Sequence, residues 1–154
     1  MTDWNKRFLE LAKHISQWSK DPSTKCGAVI VRPDKTIASM GFNGLPRRIP
    51  DLPAILENRE QKYQRIIHSE MNALLFLREK AIGYHMFVHP MMPCSRCAVH
   101  IIQAGIASVT ALYTDNPRWR ESIDIARELF IDGGVEYHEI NWEFASNTSP
   151  APQD

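Results

Sequence analysis

Phe8, Leu9, Leu11, Ala12, Ile15 and Trp18 recur at three- and four-residue spacing, which predicts an amphipathic helix over 4–19, stopped by Asp21-Pro22-Ser23. The pattern then changes period. Gly27 to Val31 and Thr36 to Met40 are short apolar, β-branched runs separated by Pro33-Asp34-Lys35, the signature of a hairpin. Met71, Ala73, Leu74, Leu75 and Leu77 mark a helix beginning near His68. Met86-Phe87-Val88 reads as a strand, and Ala98 to Ala104 continues a helix from Cys94 that Gly105 closes. Ser108 to Tyr113 is a strand, Arg118 to Ile131 a helix closed by Gly133-Gly134, and Val135 to Ile140 a last strand. The order α-β-β-α-β-α-β-α-β, a hairpin followed by alternating strands and helices, predicts a mixed five-stranded sheet covered by helices.

Two stretches fall outside this periodicity. Residues 41–53 hold Gly41, Gly44, Pro46, Pro50 and Pro53 and form a long loop, a length that in compact domains usually serves function. Residues 54–66 are strongly charged and read as a short exposed helix at most. The expected organisation is one domain over 1–140 and a peripheral or disordered tail over 141–154.

Charge narrows the class of partner. Lys plus Arg and Asp plus Glu are both 18, so the chain is formally neutral. A protein living on a nucleic-acid polymer would carry a basic excess or stripe, so none is expected as a partner. No apolar run reaches the roughly 18 residues of a membrane span, and the N-terminus enters an amphipathic stretch without an apolar leader. Three cysteines, two of them at Cys-x-x-Cys spacing, suit a reducing cytoplasm and a metal better than a disulfide framework.

His68-Ser69-Glu70 opens one helix, and Pro93-Cys94-Ser95-Arg96-Cys97 opens another. One imidazole and two thiolates are good zinc ligands, and three protein ligands leave a tetrahedral ion one open position, the mark of a catalytic site. Helix starts suit thiolates, because free N–H groups and the positive end of the helix dipole stabilise them. His68 and Glu70 stand two residues apart and share no helix face, so they converge only by reaching past the open helix end. Two thiolates cancel the charge of the ion. A neutral site is a weak Lewis acid, so activating water needs a base beside it, and Glu70 is that base. Cys26, followed by Gly27-Ala28-Val29-Ile30-Val31, reads as a core thiol and not as a fourth ligand. Lys20, Lys25, Arg47 and Arg48 flank the loop, and Lys20 and Arg47 are the preferred pair for holding a phosphate.

The arrangement His68-x-Glu70 … Pro93-Cys94-x-x-Cys97 matches the general pattern of zinc deaminases, in which the Glu shuttles protons. The chain resembles the cytidine and deoxycytidylate deaminase superfamily, and within it the deoxycytidylate (dCMP) deaminases. The narrower resemblance lies in Ser19-Lys20-Asp21-Pro22-Ser23-Thr24 running into Gly27-Ala28, in Gly41-Phe42-Asn43-Gly44-Leu45-Pro46-Arg47, in Ile67 to Ala73 and in Ile101 to Ile106. It implies a three-layer α/β/α fold of the cytidine-deaminase kind. It implies His68, Cys94 and Cys97 as ligands, Glu70 as shuttle, Asn43 on the sugar hydroxyl and the backbone at Ser69 on the base edge. Most members have Ala where Ser69 stands. Residues 41–67 lack Cys and His, so one Zn2+ per chain is expected, without the second zinc of some phage members.

The expected reaction is hydrolytic deamination of dCMP to dUMP with release of ammonia, feeding dTTP supply. A homo-oligomer, hexamer or dimer, and dCTP or dTTP as effectors belong to the same expectation. Two alternatives stay open on sequence: a deaminase of another cytosine or purine substrate, such as a nucleoside or tRNA adenosine, and a non-catalytic zinc-stabilised interaction module. Neutral charge and the long loop weigh against tRNA, His68 against the nucleoside enzymes that place Cys there, and Glu70 against a structural site.

Overall fold

A computed structural model of the chain describes residues 3–143; of the expected tail, 144–154 lie outside the described residues. Helix α1 spans Trp4–Ser16, with Asp3 as its N-cap accepting from the Lys6 N–H. Strands β1 (Gly27–Val31) and β2 (Ile37–Phe42) form the expected hairpin. The charged stretch forms two short helices, α2 (Pro53–Leu56) and α3 (Arg59–Tyr63), where the sequence suggested at most one. Then follow α4 (Ser69–Leu75), β3 (His85–His89), α5 (Ser95–Gln103), β4 (Ser108–Leu112), α6 (Pro117–Asp132) and β5 (Glu136–Ile140). Gly105, with φ +86°, takes the left-handed conformation that ends α5 and turns the chain into β4.

The five strands lie in the order β2-β1-β3-β4-β5. β1 runs antiparallel to β2 and β3, while β3, β4 and β5 are parallel. Alternation along the strands separates two cores. Ala28, Ile30, Met86, Val88, Val109 and Ala111 face helices α4, α5 and α6 through Ala73, Ala98, Ile101, Ile123 and Phe130. Val29, Val31 and Phe87 face α1 through Phe8, Leu9 and Ala12. The three-layer α/β/α arrangement follows, with burial of each large apolar side chain worth about 1.5–3 kcal/mol.

Register sets the functional end of the sheet. Gly27 pairs with both Phe42 and His89, so the start of β1 and the ends of β2 and β3 lie level. The segments leaving those ends carry Asn43 on one side and Met91 to Cys94 on the other. In open α/β sheets, the crevice outside the carboxyl ends of the strands is where ligands bind. No helix among the described residues is long and apolar enough to cross a membrane.

Candidate active site

Two helix starts meet at this end of the sheet. His68 is the N-cap of α4, yet its imidazole makes no capping bond; its Nδ1 lies 3.4 Å from Cys94 Sγ and 3.4 Å from Cys97 Sγ. Cys94 is the N-cap of α5, and its sulfur accepts from the Cys97 N–H at 3.4 Å. Gly41 lets the first turn of α4 sit this close to the sheet, because a Cβ there would come 2.4 Å from Ala73 N and 2.5 Å from Ser69 O.

The three ligand atoms lie within 4.8 Å of one another, and among the described residues they are the one group that could hold a metal. Zn–N and Zn–S bonds at tetrahedral angles put an imidazole nitrogen and a thiolate about 3.5 Å apart, so this donor set fits zinc as placed. Charge supports the fit. A hydrogen bond from Cys97, then one from His68, brings the Cys94 thiol down to about 4. His68 is raised to about 9 by its bond to Cys94, and Cys97 is pushed up by the same bonding and by burial. The three groups share protons through hydrogen bonds, and a divalent cation bound here would displace those protons.

Glu70, 5% exposed, stands in the first turn of α4 behind the trio. Burial raises its pKa, opposed first by the charge of His68. A carboxyl whose hold on its proton is strengthened by burial, beside a metal-ligating trio, can both accept and return a proton.

His68, Glu70 and Cys94 line one cavity of ≈ 530 Å³, within the range that accommodates a nucleotide-sized ligand. Asn43 lines it too, and its amide is engaged: Oδ1 accepts from the Cys26 N–H at 2.9 Å, and Nδ2 donates to Asp21 and to the Thr24 carbonyl. Ser19 Oγ donates to the Asn43 carbonyl at 2.8 Å. The two stretches singled out in the sequence, 19–24 and 41–47, are thus one hydrogen-bonded unit. Ser69 is fully buried at the α4 start.

Lys20 and Arg47 are not among the cavity-lining residues. Lys20 pairs with Asp51 at 3.0 Å in the exposed loop, and the Arg47 guanidinium lies 4.8 Å from the centre of the Phe76 ring. Cys26 differs from its expected place in the core: it precedes β1, is half-buried and lines the cavity, with its thiol pushed up by burial. His89 ends β3 outside the lining, and burial lowers its pKa to about 4.

Four cavity residues gave no sequence signal. Lys62 of α3 is buried, with Nζ 3.0 Å from Asp21 Oδ1 and 3.1 Å from Ser23 Oγ. Arg59, Tyr63 and Arg118 complete the basic side, and the Arg118 Nη2 donates to the Tyr63 hydroxyl. The charges of 54–66 suggested a solvated surface; only Asp21, far away in sequence, reveals that Lys62 turns inward.

The chain is similar to known proteins in sequence and fold. Residues 2–113 match the cytidine and deoxycytidylate deaminase zinc-binding region. A deaminase of Aliivibrio fischeri is 40% identical over 145 residues, covering 92% of this chain and 95% of its own length. The deoxycytidylate deaminase of Mus musculus is 34% identical over 149 residues, covering 93% and 83%. The crystal structure of the dCMP deaminase of cyanophage S-TIM5 superposes with TM-score 0.67 at 25% identity, covering 88% of this chain and 96% of that one. This chain belongs to the cytidine and deoxycytidylate deaminase family, whose zinc is the cofactor that His68, Cys94 and Cys97 are arranged to hold.

Proposed function

We propose that the chain hydrolyses the C4 amino group of dCMP, giving dUMP and ammonia. The observation that carries this reading is a buried carboxyl, Glu70, set against the His68–Cys94–Cys97 trio in the wall of a nucleotide-sized cavity. Deoxycytidylate deaminase relatives along most of the chain support the choice of nucleotide.

Zinc, when bound, would be held by His68, Cys94 and Cys97 and would supply Lewis-acid activation of water. Glu70 accepts the proton of the attacking water on a carboxylate oxygen and delivers it to N3 of the ring. It takes the second water proton as the C4–N bond breaks and gives it to the departing amine, so ammonia leaves and Glu70 returns to its starting state. The backbone at Ser69 meets the base edge. Asn43 meets the sugar hydroxyl as an acceptor through Oδ1, since both its amide hydrogens are donated within the fold. Exposed apolar side chains, Met40 and Phe42 on one side of β2 and Leu75 and Phe76 at the end of α4 on the other, leave surface for a homo-oligomer.

The test is a substrate panel. Initial rates of ammonia release from dCMP, CMP, deoxycytidine, dCTP and guanine are compared at one enzyme concentration, with zinc content measured on the same sample. The expected result is the highest kcat/KM for dCMP and about one zinc per chain. A clear preference for an unphosphorylated substrate removes the nucleotide from the proposal.

A further inference from the structure

The long insertion and the start of α6 meet over the cavity. Tyr63 closes α3, and its hydroxyl accepts from Nη2 of Arg118, which lies 55 positions further along the chain. The Arg118 guanidinium stacks 4.6 Å from the centre of the Trp119 ring, and that of Arg59 lies 5.9 Å from the centre of the Tyr63 ring. Stacking orients a guanidinium plane while leaving its edge donors free. All four side chains line the same cavity as His68 and Glu70.

Charge separates these arginines from the other cations nearby. Lys62 is neutralised by Asp21, with both side chains at most 6% exposed. Lys20 is paired with Asp51 outside the cavity. Among the described residues, neither Arg59 nor Arg118 has a carboxylate partner. Two positive charges therefore face the cavity without an internal counter-ion. A phosphate monoester carries about two negative charges near neutral pH and three strong acceptor oxygens. Guanidinium forks match that geometry, and Tyr63, already an acceptor toward Arg118, keeps its own hydrogen to donate.

We propose that Arg118, Arg59 and Tyr63 form the subsite that takes the 5′-phosphate of the substrate, and so set the preference for nucleotide over nucleoside. This inference rests on the reading of the substrate as a cytosine nucleotide. Lys62 has a positioning role: bound to Asp21 and Ser23, it anchors α3 and with it Tyr63 and Arg59 over the cavity.

The experiment measures kcat/KM for dCMP and for deoxycytidine in the zinc-loaded protein and in Arg118→Gln, Arg59→Gln, Tyr63→Phe, Lys20→Ala and Arg47→Ala. The dCMP-to-deoxycytidine ratio is expected to fall about 30-fold in Arg118→Gln, chiefly through KM, and by smaller factors in Arg59→Gln and Tyr63→Phe. Inorganic phosphate should compete with dCMP in the parent protein and compete more weakly in Arg118→Gln. Melting curves accompany each variant; if Arg118→Gln fails to fold, Arg59→Gln and Tyr63→Phe decide. A parent protein that prefers dCMP, with the ratio kept in all three variants or lost in Lys20→Ala or Arg47→Ala instead, overturns the subsite alone. A parent protein with no preference for dCMP overturns the nucleotide reading and the subsite together.

Discussion

The cavity wall that carries His68, Glu70 and Cys94, with the buried Cys97 next to it, comes from two helix starts, whereas the wall that carries Asp21, Asn43, Arg59, Lys62, Tyr63 and Arg118 comes from segments spread between residues 21 and 118. The difference follows from what each wall has to hold. Ligands of one ion must come within a few ångströms of each other and stay there, which short spacings on rigid helix ends provide. A substrate's outer end can be met by long side chains reaching in from any element. The first wall is therefore written as a motif. The second exists only after folding, and its groups are held by each other: Asp21 accepts from Ser23, Thr24 and Lys62 on one oxygen and from Asn43 on the other.

The contrast predicts that damage to the first wall costs turnover, whereas damage to the second costs substrate preference and, at its buried Asp21–Lys62 pair, stability. The largest expected effect is on the first. Glu70→Gln should lower turnover of dCMP by at least about 10³-fold while zinc content and melting temperature stay near those of the parent protein. Near-normal turnover in that variant would remove Glu70 from the proposed proton path.

On the second wall, Lys62→Met leaves Asp21 as a buried carboxylate without its cation. Asp21 keeps its backbone N–H donors, so the expected loss is about 3 kcal/mol, at the low end for a broken buried pair. Urea unfolding measures it, and a melting temperature lower by about 6–12 °C should accompany it. Unchanged stability would mean that α3 is not anchored through this pair, and the two walls would then differ less than proposed.

How much was legible in the sequence follows the same division. The metal trio and Glu70 could be placed from spacing, because His-x-Glu and Cys-x-x-Cys at helix starts leave few geometries. The five strands and their order of appearance were legible largely because strands such as β1 and β3 are short apolar runs bounded by turn residues, apolar on both faces because both faces of the sheet are covered. The bounds drifted where capping decides them: α1 ends at Ser16 and not near residue 19, and β2 runs on to Phe42. The stretch 54–66 was read as one short exposed helix at most, and its division in two was not legible because each of the two helices is a single short turn or two with no apolar stripe. Lys62 and Arg118 escaped because a charged residue at a helix surface looks the same in sequence whether it faces water or a cavity. Lys20 and Arg47 looked suitable because they flank the right loop, but flanking in sequence does not fix which way a side chain turns.

A pH dependence of stability lies outside both walls, at His89 at the end of β3. Burial, and then the positive charge of Lys13, lower its pKa from the usual 6.5 to about 4. The unfolded chain therefore takes up this proton before the folded one does. Its contribution to stability is full above about pH 6.5 and is lost as pH falls from there toward 4, by about 1–2 kcal/mol after allowance for partial exposure. His89→Gln should flatten the slope of unfolding free energy between those pH values. An unchanged slope would place the pH dependence on other groups.

The smallest effect tests whether the first wall works through backbone or side chain at the residue between ligand and base. Ser69 is fully buried, and among the described residues its hydroxyl has no hydrogen-bond partner. An unsatisfied buried hydroxyl costs free energy, and Ser69→Ala removes it while keeping the backbone group that is proposed to meet the base edge. The variant should gain roughly 1 kcal/mol, read as a rise of about 2–4 °C in melting temperature. The activity of the same sample discriminates further. If stability rises and kcat/KM for dCMP holds, the backbone is the working group and the hydroxyl a tolerated excess. If kcat/KM falls while stability rises, the hydroxyl touches substrate, and the wall that looked complete from its motif has a side chain the motif does not include.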